Sequence, residues 1–229
     1  MNKIQEIPLP RILVEGLVII ASILLALAAD AWWDGVQARG EEREILKALR
    51  AEFETNRNVI AQTAKVHRMT LSAMREIVMA SESEVSAHDV PMDELFRRAG
   101  VTPHYNPATG ALTALINSGR IVLVRNIALR NRLAGWNAVV SDLVLDEQTR
   151  RDFVVHELHP AFAEFGIGGS VSVTKGTETD FTEALKSRQL LAHLRSQIVQ
   201  VAHLVTHFDD VEYAIQAITF DLSEELESH

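Results

Sequence analysis

Residues Ile12 to Trp33, ILVEGLVIIASILLALAADAWW, decide how this chain is built. As a helix rising about 1.5 Å per residue the stretch covers about 33 Å. A bilayer's hydrocarbon core is about 30 Å thick. Pro8 and Pro10 stand before it, and proline is tolerated at a helix start because the first N–H groups lack helical partners. Trp32 and Trp33 close it, as aromatic rings do at the headgroup level. The reading is a short arm over residues 1–11 and a transmembrane helix over residues 12–33, with the lipid bilayer as partner. Glu15, the one charge before Asp30 marks the return to water, sits either among headgroups or against a partner helix. With Trp32 and Trp33 it is the expected membrane or partner contact. A cleaved signal peptide competes, with Lys3 and Arg11 as its basic region and Ala26-Leu27-Ala28 as its cleavage site. The length of the run, Glu15 and the two tryptophans favour a retained span.

The rest of the chain is acidic. The 229 residues carry 22 Lys+Arg against 31 Asp+Glu, a net charge of -9. Lys3, Glu6, Arg11 and Glu15 cancel over the first 29 residues, so the whole excess lies from Asp30 onward. A nucleic-acid partner is excluded on that balance, because phosphate neutralisation needs a basic surface. The absence of cysteine excludes disulfides, thiolate metal sites and a Cys nucleophile. Basic residues flank both ends of the span, Lys3 and Arg11 before it and Arg39, Arg43, Lys47 and Arg50 after it. Flanking charge therefore does not set the orientation, and long domains are exported largely regardless of it. A short arm, one span and a large cysteine-free domain give the expectation of a single-pass inner-membrane protein with a periplasmic C-terminal domain.

Residues 34–229 read as one α-helical bundle. From Asp34 to about Ala80, the residues Ile45, Leu49, Phe53, Ile60, Ala64, Leu71, Met74 and Val78 recur at helical spacing, with Asn56 and His67 as polar members of the stripe. Gly35 and Gly40 permit a bend below it. Ser81 to His88 is a polar loop, Asp93–Arg98 a short helix stopped by Gly100, and Ala108–Ser118 another ended by Gly119. Ile121–Val124 reads as a buried extended connector. Asn126 caps a helix with the stripe Leu129, Leu133, Trp136, Val140 and Leu143. The run Asp146–Asp152 (DEQTRRD) interrupts that stripe, and Pro160 should kink or end the helix. A linker over residues 166–180 and a short helix Phe181–Lys186 lead to a last helix from about Ser187 to Glu227. The fold class is all-α: an N-terminal transmembrane helix continuing into an antiparallel bundle of three long helices plus short ones.

Three stretches resemble a family of uncharacterised bacterial single-span membrane proteins, a domain of unknown function. They are VEGLVIIASILLALAADAWWDGVQARGEEREILKALRAEF (Val14–Phe53), LTALINSGRIVLVRNIALRNRLAGW (Leu112–Trp136) and LLAHLRSQIVQVAHLV (Leu190–Val205). The resemblance implies a membrane anchor and a helical domain. It carries no activity and no site residues.

Two places invite chemistry. Arg120 and Arg125 flank a break between helices, and the start of the helix after Asn126 adds partial positive charge. With Trp136 as a stacking platform or a core residue, these four form a candidate ligand site; the competing reading is helix capping and surface arginines. His203, His207 and Asp210 share one face of the last helix at i, i+4 and i+7, a spacing that suits metal ligation or a solvated polar face. His156 and His159 (HELHP) miss the HExxH spacing by one residue. No cofactor is implied. The expectation is a non-enzymatic single-pass membrane protein with a helical extracytoplasmic domain, acting as a structural, interaction or assembly partner, with a protein partner or a second copy beside it. A membrane-anchored small-ligand sensor and a metal-dependent enzyme are the alternatives.

Overall fold

The structure, a computed structural model, describes residues 9–83, 91–168 and 181–228. Most of the expected arm, part of the Ser81–His88 loop and most of the 166–180 linker lie outside the described residues. Helix α1 runs without a break from Leu9 to Glu82. Helices α2 (Met92–Ala99) and α3 (Gly110–Asn117) and a 3₁₀ turn (Arg120–Leu123) lead to α4 (Ile127–Phe153). A π turn (Val154–Leu158), α5 (His159–Ala163), α6 (Phe181–Lys186) and α7 (Arg188–Ser228) complete the fold, and no strand occurs among the described residues.

The apolar lower part of α1 is not buried by the other described residues. Leu17, Leu25, Trp32 and Trp33 are all more than half exposed, and Glu15 is exposed with them. This is one N-terminal helix long and apolar enough to cross a membrane. Gly35 and Gly40, which permit a bend, do not break the helix. A Cβ at either position would meet no atom within 4 Å, so neither glycine serves a close approach. The loss of about 1 kcal/mol per helical glycine is carried by the turns on both sides.

Long-range pairs fix the topology. Arg125 meets Glu42 and His67 meets Glu147, so α1 and α4 run in the same direction. Arg195 meets Glu82 and Arg68 meets Asp209, so α7 runs antiparallel to both. Chain direction reverses between α1 and α4 because α2, an extended loop and α3 descend along α1. Two apolar cores result. The one nearer the exposed apolar end of α1 gathers Leu46, Phe53, Leu133, Trp136, Phe208 and Ile215, among others. The distal one gathers Met74, Ile77, Phe96, Leu158, Phe162 and Leu194.

Sequence signals account for three helix ends. Asn126 accepts from the Leu129 amide at 3.1 Å. Ser187 accepts from Leu190 N at 3.2 Å at the start of α7. Gly119 takes φ 69° after α3, a conformation that favours glycine. Two expectations need correction. Residues Ile121–Val124 are not an extended connector: a 3₁₀ turn covers Arg120–Leu123, Val122 faces solvent, and only Val124 is extended and fully buried. The DEQTRRD run does not interrupt α4. Glu147 and Arg150 turn inward and are 3% and 2% exposed, continuing the stripe from Leu143 to Val154. Pro160 is absorbed by the π turn before it, whose wider hydrogen-bond spacing accommodates the missing N–H.

Candidate functional site

A layer of buried polar residues separates the two cores. From α1 comes His67 and from α4 come Glu147 and Arg150, all buried. The loop before α3 adds His104 and Tyr105. Glu147 is the hub. Both of its oxygens accept from the Tyr105 amide, at 3.1 and 3.0 Å. His67 Nε2 lies 3.2 Å from one oxygen and His104 Nδ1 lies 3.1 Å from the other. Arg150 donates to Val101 O at 3.0 Å. Three atoms of the layer make no hydrogen bond among the described residues: His67 Nδ1, Tyr105 Oη and Arg150 Nε. Buried polar atoms of this kind are where folded proteins hold ordered water or a ligand.

Burial shapes the electrostatics. It lowers the His67 pKa more than the hydrogen bond to Glu147 raises it, so the imidazole is neutral at pH 7. Burial lowers Arg150 to about 10, against the opposing charge of Glu147. Burial, reinforced by the charge of Glu147, raises the Tyr105 hydroxyl.

Carboxylates of α1 pin the descending segment. Glu52 accepts from the amides of Ala111 and Leu112, the latter at 3.1 Å, and so caps α3. Asn56 pairs with both backbone groups of Ala108, at 2.8 and 2.7 Å. Glu42 accepts from Arg125 N at 3.0 Å and lies 3.1 Å from Arg125 Nε. The corner that the sequence marks for an anion is therefore occupied by the chain's own Glu42.

The four expected ligand residues do not converge. Arg125 is tied to Glu42, and Asn126 is used as a cap and reaches Glu225 at 3.4 Å. Trp136 takes the core reading: it is 1% exposed and meets Phe53 edge to face at 5.0 Å. Arg120 alone lines an open groove of about 820 Å³ between α1 and α3. Ile45, Ala48, Ala111, Ala114 and Leu115 form its apolar floor, and Glu41 and Glu44 stand on its rim. Arg120 pairs with Glu41 at 2.7 Å.

His203 and His207 do share a face, with ring centroids 4.3 Å apart. The third member of their cluster is not Asp210. It is Asp146 of α4, and the ligand-type atoms of the three lie within 4.8 Å of one another. Asp210 instead lines a hollow on the other side of His207. Of the HELHP pair, His159 lies 3.1 Å from Gly100 O.

Fold and site define a class: an all-α bundle built around a helix long and apolar enough to cross a membrane. Comparison with protein-family models, with curated proteins and with solved structures finds no match to this chain. The likeness to the bacterial single-span family rests on the three stretches quoted for it.

Proposed function

We propose that this is a single-pass inner-membrane protein whose extracytoplasmic bundle acts, without catalysis, as a structural, interaction or assembly partner at the membrane surface. The continuity of α1 carries the reading. One helix holds the exposed apolar segment at one end and contributes to both cores at the other. The bundle is thereby held at a fixed height and rotation above the bilayer. The groove supports the same reading. Its first lining residue, Gln37, is four residues past Trp33, about 6 Å along the helix axis. Gly40, Ala48, Ala111 and Ala114 line it, and small residues let another helix approach closely. The occupant that fits is a juxtamembrane helix of a partner protein. Within the polar layer Glu147 holds the Tyr105 amide and Arg150 holds Val101 O, a use of these groups that favours a structural role over catalysis.

The test is gentle solubilisation of the full chain, affinity purification and identification of what accompanies it. A partner should be retained by the natural chain and lost from Ala114→Trp, which fills the groove from an exposed position. A monomer with no accompanying protein would contradict the proposal. Reporter fusions at His229 test the orientation, and a cytoplasmic signal would overturn that part. The small-ligand sensor is the second reading, favoured by the groove's volume, which is in the range of ligand pockets of about 300–1,000 Å³. The lining predicts an apolar ligand rather than an anion, and Ala114→Trp would abolish its binding with no protein partner involved.

A further inference from the structure

We propose that Asp146, His203 and His207 form a binding site for one divalent transition-metal ion, of the zinc class, on the seam between α4 and α7. His203 and His207 stand one helical turn apart on α7, and Asp146 reaches them from α4. Imidazole and carboxylate donors suit borderline divalent ions. Three protein ligands with open positions remaining is the pattern of an accessible site rather than a closed structural one.

Asp146 and His207 face each other across the seam as an ion pair, His207 Nδ1 and Asp146 Oδ2 lying 2.7 Å apart. Both atoms are shielded from solvent, and neither finds a hydrogen bond among the described residues. Around a zinc ion held at about 2.1 Å, ligand atoms stand about 3.0–3.4 Å apart, so the pair opens by less than about 1 Å to admit the ion. The exposed His203 ring has the freedom to close the remaining distance within the 4.8 Å cluster.

The surroundings favour a cation. Asp142 and Asp210 line a hollow of about 130 Å³ against His207, adding negative field. A second cavity of about 200 Å³ lies beside Asp146 and His203, room for a water or a small ligand on the metal. An ion here would bridge α4 to α7 at the residue before Glu147, and so at the level of the buried polar layer. This placement is independent of the groove and of the membrane-partner reading.

Zinc titration of the full chain in mild detergent, with any affinity tag removed, tests the site by calorimetry and by thermal melting. One zinc per chain should bind and raise Tm. Asp146→Asn, His203→Gln and His207→Gln should each weaken binding by at least about tenfold, since loss of even a supporting outer group costs about 10–100-fold. Asp146→His, which keeps a ligand, should restore it, and Asp210→Asn, which removes field but no ligand, should weaken binding far less than Asp146→Asn does. Far-UV circular dichroism establishes that each variant is folded, and Asp210→Asn serves as the charge control. Absence of stoichiometric zinc binding by the natural chain would overturn the proposal. So would an Asp210→Asn variant as impaired as Asp146→Asn.

Discussion

Replacing Glu147 by alanine strikes the polar layer at its hub. The change removes the acceptor of the Tyr105 amide and the partner of His67 and His104. It also leaves Arg150, 2% exposed, without its neighbouring carboxylate. Removing one member of a buried charged pair costs about 3–5 kcal/mol, and each orphaned buried donor costs about 1–3 kcal/mol. These losses overlap, so the expected total is about 4 kcal/mol. Set against a domain stability of about 5–15 kcal/mol, the variant keeps little margin. Urea unfolding of the full chain in mild detergent, followed by circular dichroism, measures the change. Arg150→Met and the double variant complete a cycle. The double variant should lose less than the sum of the singles, by about 1 kcal/mol or more, because it no longer buries an uncompensated guanidinium. A loss below about 1 kcal/mol for Glu147→Ala, or strict additivity in the cycle, would refute the role assigned to Glu147.

Three further outcomes follow from the same packing. Burial lowers the pKa of His67, so the unfolded chain takes up a proton near pH 6.5 that the folded chain refuses. Stability should therefore fall as pH drops below about 6.5, by up to about 1.4 kcal/mol per pH unit; melting at a series of pH values reads this, and His67→Gln should flatten the slope. Asn56→Ala should cost about 1–3 kcal/mol and speed hydrogen exchange at the Ala108 amide, which Asn56 holds at 2.7 Å. Gly40→Ala should raise stability by about 0.5–1 kcal/mol, because the new methyl group meets nothing within 4 Å; an unchanged or lower Tm would contradict an unbroken helix there.

The helices were legible because they are local. Apolar spacing, the Asn126 cap and Gly119 each act within a few residues, and the structure places them as read. The polar layer was not legible because its pairs are distant. Asn56 and His67 stood out in the sequence, but their partners Ala108 and Glu147 are separated from them by 52 and 80 residues. Glu147 and Arg150 were masked by the charges around them. Their positions nonetheless carry a signal: Leu143, Glu147, Arg150, Val154 and Leu158 keep the spacing of one helical face. A charged residue on an apolar stripe marks a buried pair when a second one stands a turn away. Asp146 could not be assigned to the His203–His207 face from α7 alone, since only the packing of α4 on α7 brings it there.

If α1 passes from bilayer to bundle as one rigid helix, as proposed, a distance across the join reads that continuity. The chain has no cysteine, so Leu25→Cys and Arg57→Cys introduce the only two thiols for spin labels. Both positions are exposed. They are 32 residues apart in sequence, which at about 1.5 Å per residue is about 48 Å. Double electron–electron resonance on the labelled chain in lipid nanodiscs should give a single narrow distribution centred near that distance. A broad distribution, or one centred much shorter, would mean that the helix breaks at Gly35 or Gly40 and would contradict the account.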